Sequence, residues 1–264
     1  MDETTITSWE QFVRIAEAFD LGDSVEMAYA FRGQSDSAWE LQPSLLRILS
    51  QYEISEERAL AIEAQALTEF RSQAHLHISL NVLSTTTDTI SWWTLMQQHG
   101  APTRLLDWCG SMFVAAYFAV TSQPRVAGSV WVVHINTVQT LMAEKYEGVS
   151  MPKTESAIQE QFLRVGGLPA IELIMRKSKT ERMVVQQGGF SVCRNVLGNH
   201  GMILQDIMPD QSAKVYFRKL VIPASLKSPF LRKLRSMNIT ANSLFPGLDG
   251  LGRYIKEYIQ VIGK

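Results

Sequence analysis

From Ser111 to Val120 the chain carries no charge, and Ser-Met-Phe-Val-Ala-Ala-Tyr-Phe-Ala-Val reads as a helix buried on most sides. The residues before it predict how the chain arrives there. Asp88 and the polar residues beside it cap a helix that runs through Trp92, Trp93 and Met96 to about Gln98. Gly100 supplies a left-handed cap, and Pro102 cannot continue the helix. A short apolar passage then carries Arg104 and Asp107. Charged side chains beside a buried helix need a partner or a task, because Arg and Asp are rarely buried unpaired. Two readings fit: the two residues pair with each other or cap the helix, or they belong to a site.

Upstream, Ser8 opens a helix with capping-box spacing, and Trp9, Phe12, Val13, Ala16 and Phe19 recur at helical spacing to about Asp20, with Gly22 and Asp23 ending it. Met27–Gly33 alternates as a half-buried strand, with Tyr29 and Phe31 on one face and Arg32 on the other. Gly33 permits a close backbone approach. Leu41–Leu45 bends into a short helix with Pro43 near its start. Ser55 opens a long helix to about His75 along the stripe Leu60, Ala64, Leu67 and Phe70. Glu63 lies on or beside that stripe, either as a pairing partner or as an edge carboxylate reaching water.

Downstream, Ser129–Ile135 has β-branched residues on both faces and reads as an interior strand. A short helix near 137–144, an apolar piece from Leu168 to Met175, and a strand from Met183 to Phe190 ending in a glycine turn follow. Lys214–Ile222 alternates as a strand. Pro223 leads into a basic helix through Leu226, Phe230, Leu231 and Leu234, and Asn238 is a left-handed cap. A last helix carries Tyr254, Ile255, Tyr258 and Ile259. With no repeat and no linker, the pattern predicts one α+β globular domain over 1–264. Its mixed or split sheet is flanked by helices, and an N-terminal helix within 1–24 packs on it.

Composition adds bounds. With 264 residues, 46% hydrophobic and 19% charged, the chain can bury a substantial core. No apolar run reaches the roughly 18 residues of a membrane span. The start, Met-Asp-Glu-Thr-Thr, lacks signal-peptide features, so a cytoplasmic protein without membrane contact is expected. Cys109 and Cys193 fit a reduced compartment and are too few for a zinc cluster or a disulfide framework. The net charge of −1 hides an asymmetry: residues 1–70 hold 14 acidic and 4 basic side chains, residues 214–264 hold 2 and 10. The two ends either attract each other or the basic end meets phosphate.

There is no P-loop, dinucleotide-binding glycine motif, His-Glu-x-x-His, nucleophile elbow or Cys-x-x-Cys. His75 and His77 lack companions at metal spacing and read as surface residues, and no metal is expected. What remains is a dispersed polar set at the ends of apolar elements: Arg32, Gln34, His99, Thr103, Arg104, Asp107, Gln186, Gln187 and Asp249. Arginines with amides and a carboxylate suit a phosphorylated or dinucleotide ligand, because guanidinium matches phosphate bidentately.

At these residues the sequence resembles the FRG-domain family, named for an aromatic-Arg-Gly motif. The motif stands here as Phe31-Arg32-Gly33-Gln34, followed by Trp39, Leu41, Pro43-Ser44-Leu45 and Arg47. The family's longer signature, Gln-His-Tyr-Gly-x-Pro-Thr-Arg-Leu-Leu-Asp-Trp, is matched from Gln97 to Trp108, with Gln98 in place of His and His99 in place of Tyr. Tyr117-Phe118-Ala119, Arg182, Gln186-Gln187-Gly188, Phe190 and Leu244–Gly250 extend the resemblance to roughly 25–255.

The resemblance implies a single FRG-like domain from bacterial or phage settings that include toxins and antiviral defence. The aromatic-Arg-Gly at the end of an early strand is in turn similar to the first motif of Arg-Ser-Glu ADP-ribosyltransferases. That implies an ADP-ribosyltransferase-like fold and NAD as substrate, for transfer of ADP-ribose or for NAD hydrolysis. Arg32, Gly33, Gln34, Thr103, Arg104 and Gln186 would bind the dinucleotide. Asp107, Gln187 and His99 would act at the ribose, and Tyr29 or Trp108 would flank the nicotinamide. The alternative is a non-catalytic module that recognises a phage protein, a nucleotide or nucleic acid through its basic C-terminal third.

Overall fold

The computed structural model describes residues 2–19, 28–147, 149–174, 188–208 and 216–262. Seven strands form one mixed sheet: β1 (Asp2–Thr5), β2 (Tyr29–Gln34), β3 (Leu105–Cys109), β4 (Gly128–His134), β5 (Ile171–Ile174), β6 (Gly188–Cys193) and β7 (Phe217–Ile222). Their order is β1-β7-β4-β2-β3-β6-β5, antiparallel throughout except for the parallel pair β1 and β7.

Twelve helices accompany the sheet among the described residues. They are α1 (Trp9–Phe19), α2 (Ser44–Leu49), α3 (Glu56–Ala74), α4 (Leu80–Thr85), α5 (Thr89–Gln98) and α6 (Met112–Val120). The others are α7 (Ile135–Lys145), α8 (Glu155–Phe162), α9 (His200–Ile207), α10 (Ala224–Ser236), α11 (Ala241–Leu244) and α12 (Leu248–Ile262). None is long and apolar enough to cross a membrane.

The strand alternation divides the core. Phe31, Val130, Val132, Leu220 and Ile222 face α6, with Phe12 of α1 and Phe230 of α10 closing that side. Ala30, Trp131, Val133, Leu106 and Trp108 face the opposite side, where Met142 of α7 and Leu204 of α9 cover them. Trp93 of α5, Leu67 of α3 and Phe162 of α8 pack together over Leu105, Phe190 and Val192. The strand predicted at Ser129–Ile135 is β4, interior between β2 and β7. The uncharged stretch is α6, capped by Ser111 and buried at seven of its residues.

Helix α6 sits unusually close to the sheet. A Cβ on Gly33 would lie 1.8 Å from the main-chain oxygen of Ala115, and one on Gly128 would lie 2.2 Å from that of Ala119. The second residue of the aromatic-Arg-Gly motif thus points one way while the third clears room for α6 on the other. Gly100 and Asn238 adopt the left-handed conformation expected of them, at φ 84° and 59°.

Three expectations are corrected. The passage from Leu105 to Cys109 is a strand, β3, whose interior place in the sheet comes from pairing with β2 and β6 and not from any alternation of its own. Gly188 and Gly189 make no turn: they begin β6, opposite Cys109 and Trp108. The N-terminal segment is more than a helix, because Asp2–Thr5 joins the sheet edge beside β7. There Lys219 Nζ meets Glu3 Oε2 at 2.9 Å, one contact between the basic and acidic ends of the chain.

Candidate functional site

Strand β2 sends Arg32 to the face opposite Phe31, where its Nη1 donates to the main-chain oxygen of Asp107 at 2.8 Å. That is its one hydrogen bond among the described residues, and its buried Nε has no partner. The half-buried guanidinium is partly stripped of water. Burial lowers its pKa, Asp107 opposes that shift, and the nearby Arg47 adds to it. Asp107 is exposed on β3, and its Oδ1 accepts from Gln97 Nε2 at 2.5 Å, leaving Oδ2 without a partner among the described residues.

Gln97, on the last turn of α5, is itself fixed. Its Oε1 accepts from the hydroxyl of the fully buried Thr103. Thr103 is held in turn by its main-chain NH on Ser44 Oγ at 3.1 Å, while its oxygen accepts from the NH of Leu45 at 3.1 Å. A chain of hydrogen bonds therefore runs from α2 through Thr103 and Gln97 to one oxygen of Asp107. Together Arg32, Arg47, Gln42, Gln97 and Asp107 line a cleft of about 200 Å³.

Next to Asp107 on β3, Trp108 belongs to a buried polar relay. Trp108 Nε1 donates to Ser191 Oγ at 2.8 Å, and Ser191 Oγ lies 2.9 Å from His200 Nδ1. The indole can only donate, so Ser191 Oγ accepts from Trp108 and keeps its own hydroxyl proton available for a further partner. His200 is fully buried, and burial, with Arg32 and Arg104 adding, pulls its pKa from 6.5 down to about 3.

The structure separates the other sequence candidates. Arg104 is 1% exposed and points away from the cleft. Its Nε donates to Glu63 Oε1 at 2.8 Å and its Nη2 to Glu63 Oε2, while Nη1 reaches the main-chain oxygens of Phe162 (2.9 Å) and Arg194 (3.0 Å). Glu63, not Asp107, is therefore its partner. Gln34 is buried between Trp131 Nε1, from which it accepts at 2.7 Å, and the main-chain oxygen of Glu40, to which it donates at 2.9 Å.

Gly33 serves the seating of α6. His99 is exposed and lines a different cavity. Asp249 lies on the first turn of α12. Gln186 and Gln187 lie outside the described residues. Neither aromatic proposed to flank the nicotinamide lines the cleft: Tyr29 packs against Phe19 and His134 on the face of Phe31, and Trp108 is buried.

Gln97, Gln42 and Arg47 were not among the sequence candidates. An amide at a helix end has no distinctive pattern of its own. The available signals were that Gln97 opens the signature that closes at Trp108 and that Arg47 closes the stretch following the aromatic-Arg-Gly motif.

The arrangement of Phe31-Arg32-Gly33 and of Gln97 to Trp108 around one cleft is the structural content of two sequence motifs, and the family model of the FRG domain matches residues 27–127. This segment is an FRG domain. It contributes β2, β3 and helices α2 to α6, and with them every residue named in the cleft. The FRG match stops short of the 25–255 expected from the motifs. Strands β4 and β6, which flank β2 and β3, come from the chain beyond it. No curated protein and no solved structure matches the chain.

Proposed function

We propose that the FRG cleft binds the phosphate of a nucleotide and that its substrate is NAD, cleaved between nicotinamide and ribose. The observation that carries this reading is the half-buried Arg32 guanidinium, which among the described residues makes a single hydrogen bond, lies beside Arg47 and shares the cleft with a carboxylate whose Oδ2 has no partner there. Arginine donors left unused in a partly dry site favour an anion, and phosphate matches their geometry. Asp107, oriented by Gln97 through Oδ1, offers Oδ2 to a ribose hydroxyl.

When the bond between C1′ and the nicotinamide nitrogen breaks, the electron pair leaves with nicotinamide and positive charge builds on the ribose. A fixed carboxylate stabilises that charge. Water, or an acceptor hydroxyl in the transferase case, then forms the new C1′–O bond and gives up its proton. Recognition of nucleic acid through the basic C-terminal third is the weaker reading. Lys219 is paired with Glu3, Lys227 donates to three main-chain oxygens, Arg235 lies near Glu257, and Arg253 lies over Phe245.

The test is nicotinamide release from NAD by the wild-type chain and by Asp107→Asn and Arg32→Gln. Turnover falls at least about 100-fold in Asp107→Asn, in line with the loss of one transition-state partner. KM rises about tenfold or more in Arg32→Gln, the scale of one charged hydrogen bond. Absence of release from the wild type together with measurable NAD binding would remove the reaction and keep the binding site.

A further inference from the structure

Beside the cleft lies a second, larger concavity of about 580 Å³, between the C-terminal turns of α3 and α5. Its floor is apolar, with Phe70, Ile78 and Met96, and its rim carries His77 and His99. Nothing in the reading above uses it. Two features tie it to the cleft. Ala101 lines both spaces, with Gly100 beside it on the cleft side and Pro102 on the cavity side. The partition consists of Gly100, Ala101 and Pro102, and a Cβ built on Gly100 would meet no atom within 4 Å beyond its chain neighbours.

The two spaces are chemically complementary. One is small, with two arginines and a carboxylate oxygen that has no partner among the described residues. The other has the size range of a pocket for a small organic ligand, with an apolar body and a few hydrogen-bonding groups at its edge. A molecule with a phosphate at one end and a flat, mostly apolar ring bearing polar edge atoms at the other matches both.

We infer that this cavity holds the aromatic base of the same nucleotide whose phosphate Arg32 anchors, making the site selective for nucleotides over inorganic phosphates. The inference rests on the phosphate reading of the cleft. Phe70 and Met96 give the base an apolar bed, and the imidazoles of His77 and His99 face its edge. His99, placed by the sequence beside the reaction, here becomes a determinant of which base is accepted.

The experiment is calorimetric titration of NAD and, separately, of inorganic pyrophosphate into the wild-type chain, Gln73→Trp, Ala66→Phe and Arg32→Gln, with thermal melting of each. Gln73 is exposed at the mouth of the cavity, so tryptophan there closes it without a buried clash, whereas phenylalanine at Ala66 fills it from the wall. Wild type should bind NAD at least tenfold more tightly than pyrophosphate. Both cavity variants should lose that preference while keeping their pyrophosphate affinity.

NAD binding no tighter than pyrophosphate in the wild type, or an NAD affinity unchanged in a folded Gln73→Trp, would overturn the inference and leave the phosphate cleft standing. Pyrophosphate binding that is absent, or that survives Arg32→Gln unchanged, would instead overturn the reading of the cleft and this inference with it.

Discussion

Arg32 and Arg104 show how far the surroundings decide what one kind of side chain does. Arg104 lies fully inside, with Glu63 taking two of its nitrogens and main-chain oxygens a third. Removing one partner of such a buried pair leaves a charge without compensation, at a cost of roughly 3–5 kcal/mol. Glu63→Ala should therefore lower unfolding free energy by about that amount in urea titration, and Glu63→Leu combined with Arg104→Met should recover most of it.

His200 makes a prediction in pH. Its folded pKa of about 3 lies below the free value of 6.5, so as pH falls the unfolded chain takes up a proton that the folded chain refuses. Its contribution is present in full above about pH 6.5 and is lost progressively toward pH 3. Between pH 7 and pH 5 this group alone should remove about 2 kcal/mol of stability, and His200→Gln should flatten that part of the curve.

At this scale Arg32, Asp107 and Glu63 were legible because charges interrupt apolar patterns there. The choice between pairing and site was not, because it depends on which element crosses which. Gln97 was visible only as the first residue of the signature that ends at Trp108, since its role is set by Thr103 and Asp107 and not by its own neighbours in sequence.

Among the elements, α6 packs closely on β2, the strand that carries Arg32. The motif glycine exists for it: with 1.8 Å between a Cβ on Gly33 and a backbone oxygen, the helix must lift or the strand must shift. Gly33→Ala should destabilise by about 2 kcal/mol or more, at the upper side of overpacking penalties, and circular dichroism melting reads it directly. The strand β2 and the helix α6 were legible from alternation and from the absence of charge. Strand β3 was not, because five residues with an exposed Asp in the middle satisfy no simple period, and its strand character comes from β6 pairing along its whole length. Strand β1 is four polar residues whose place is set by backbone pairing with β7 and by the contact of Glu3 with Lys219.

Over the whole molecule, the sheet brings distant parts of the chain to one set of neighbours. The matched FRG segment supplies β2 and β3, yet the register between them contains a single pair, Phe31 opposite Cys109. Their long partnerships are with β4 and β6 from outside the match. A chain cut to residues 27–127 should accordingly show no cooperative melting transition, whereas the full chain should melt as one unit.

The acidic beginning and the basic end also meet across this sheet, through Lys219 and Glu3 beside β1. The α+β class was legible from the mix of periods. The strand order was not, because pairing between β1 and β7 or between β3 and β6 spans separations that no local pattern encodes.

The central claim is that Arg32 anchors a phosphate-bearing nucleotide, and the most direct measurement is the affinity of ADP-ribose for the wild-type chain and for Arg32→Gln, compared at equal melting temperature. The account predicts one site per chain, weakened about tenfold to a hundredfold by the substitution, the scale of losing charged hydrogen bonds. Equal affinity in the two folded proteins, or no binding by the wild type, would contradict it.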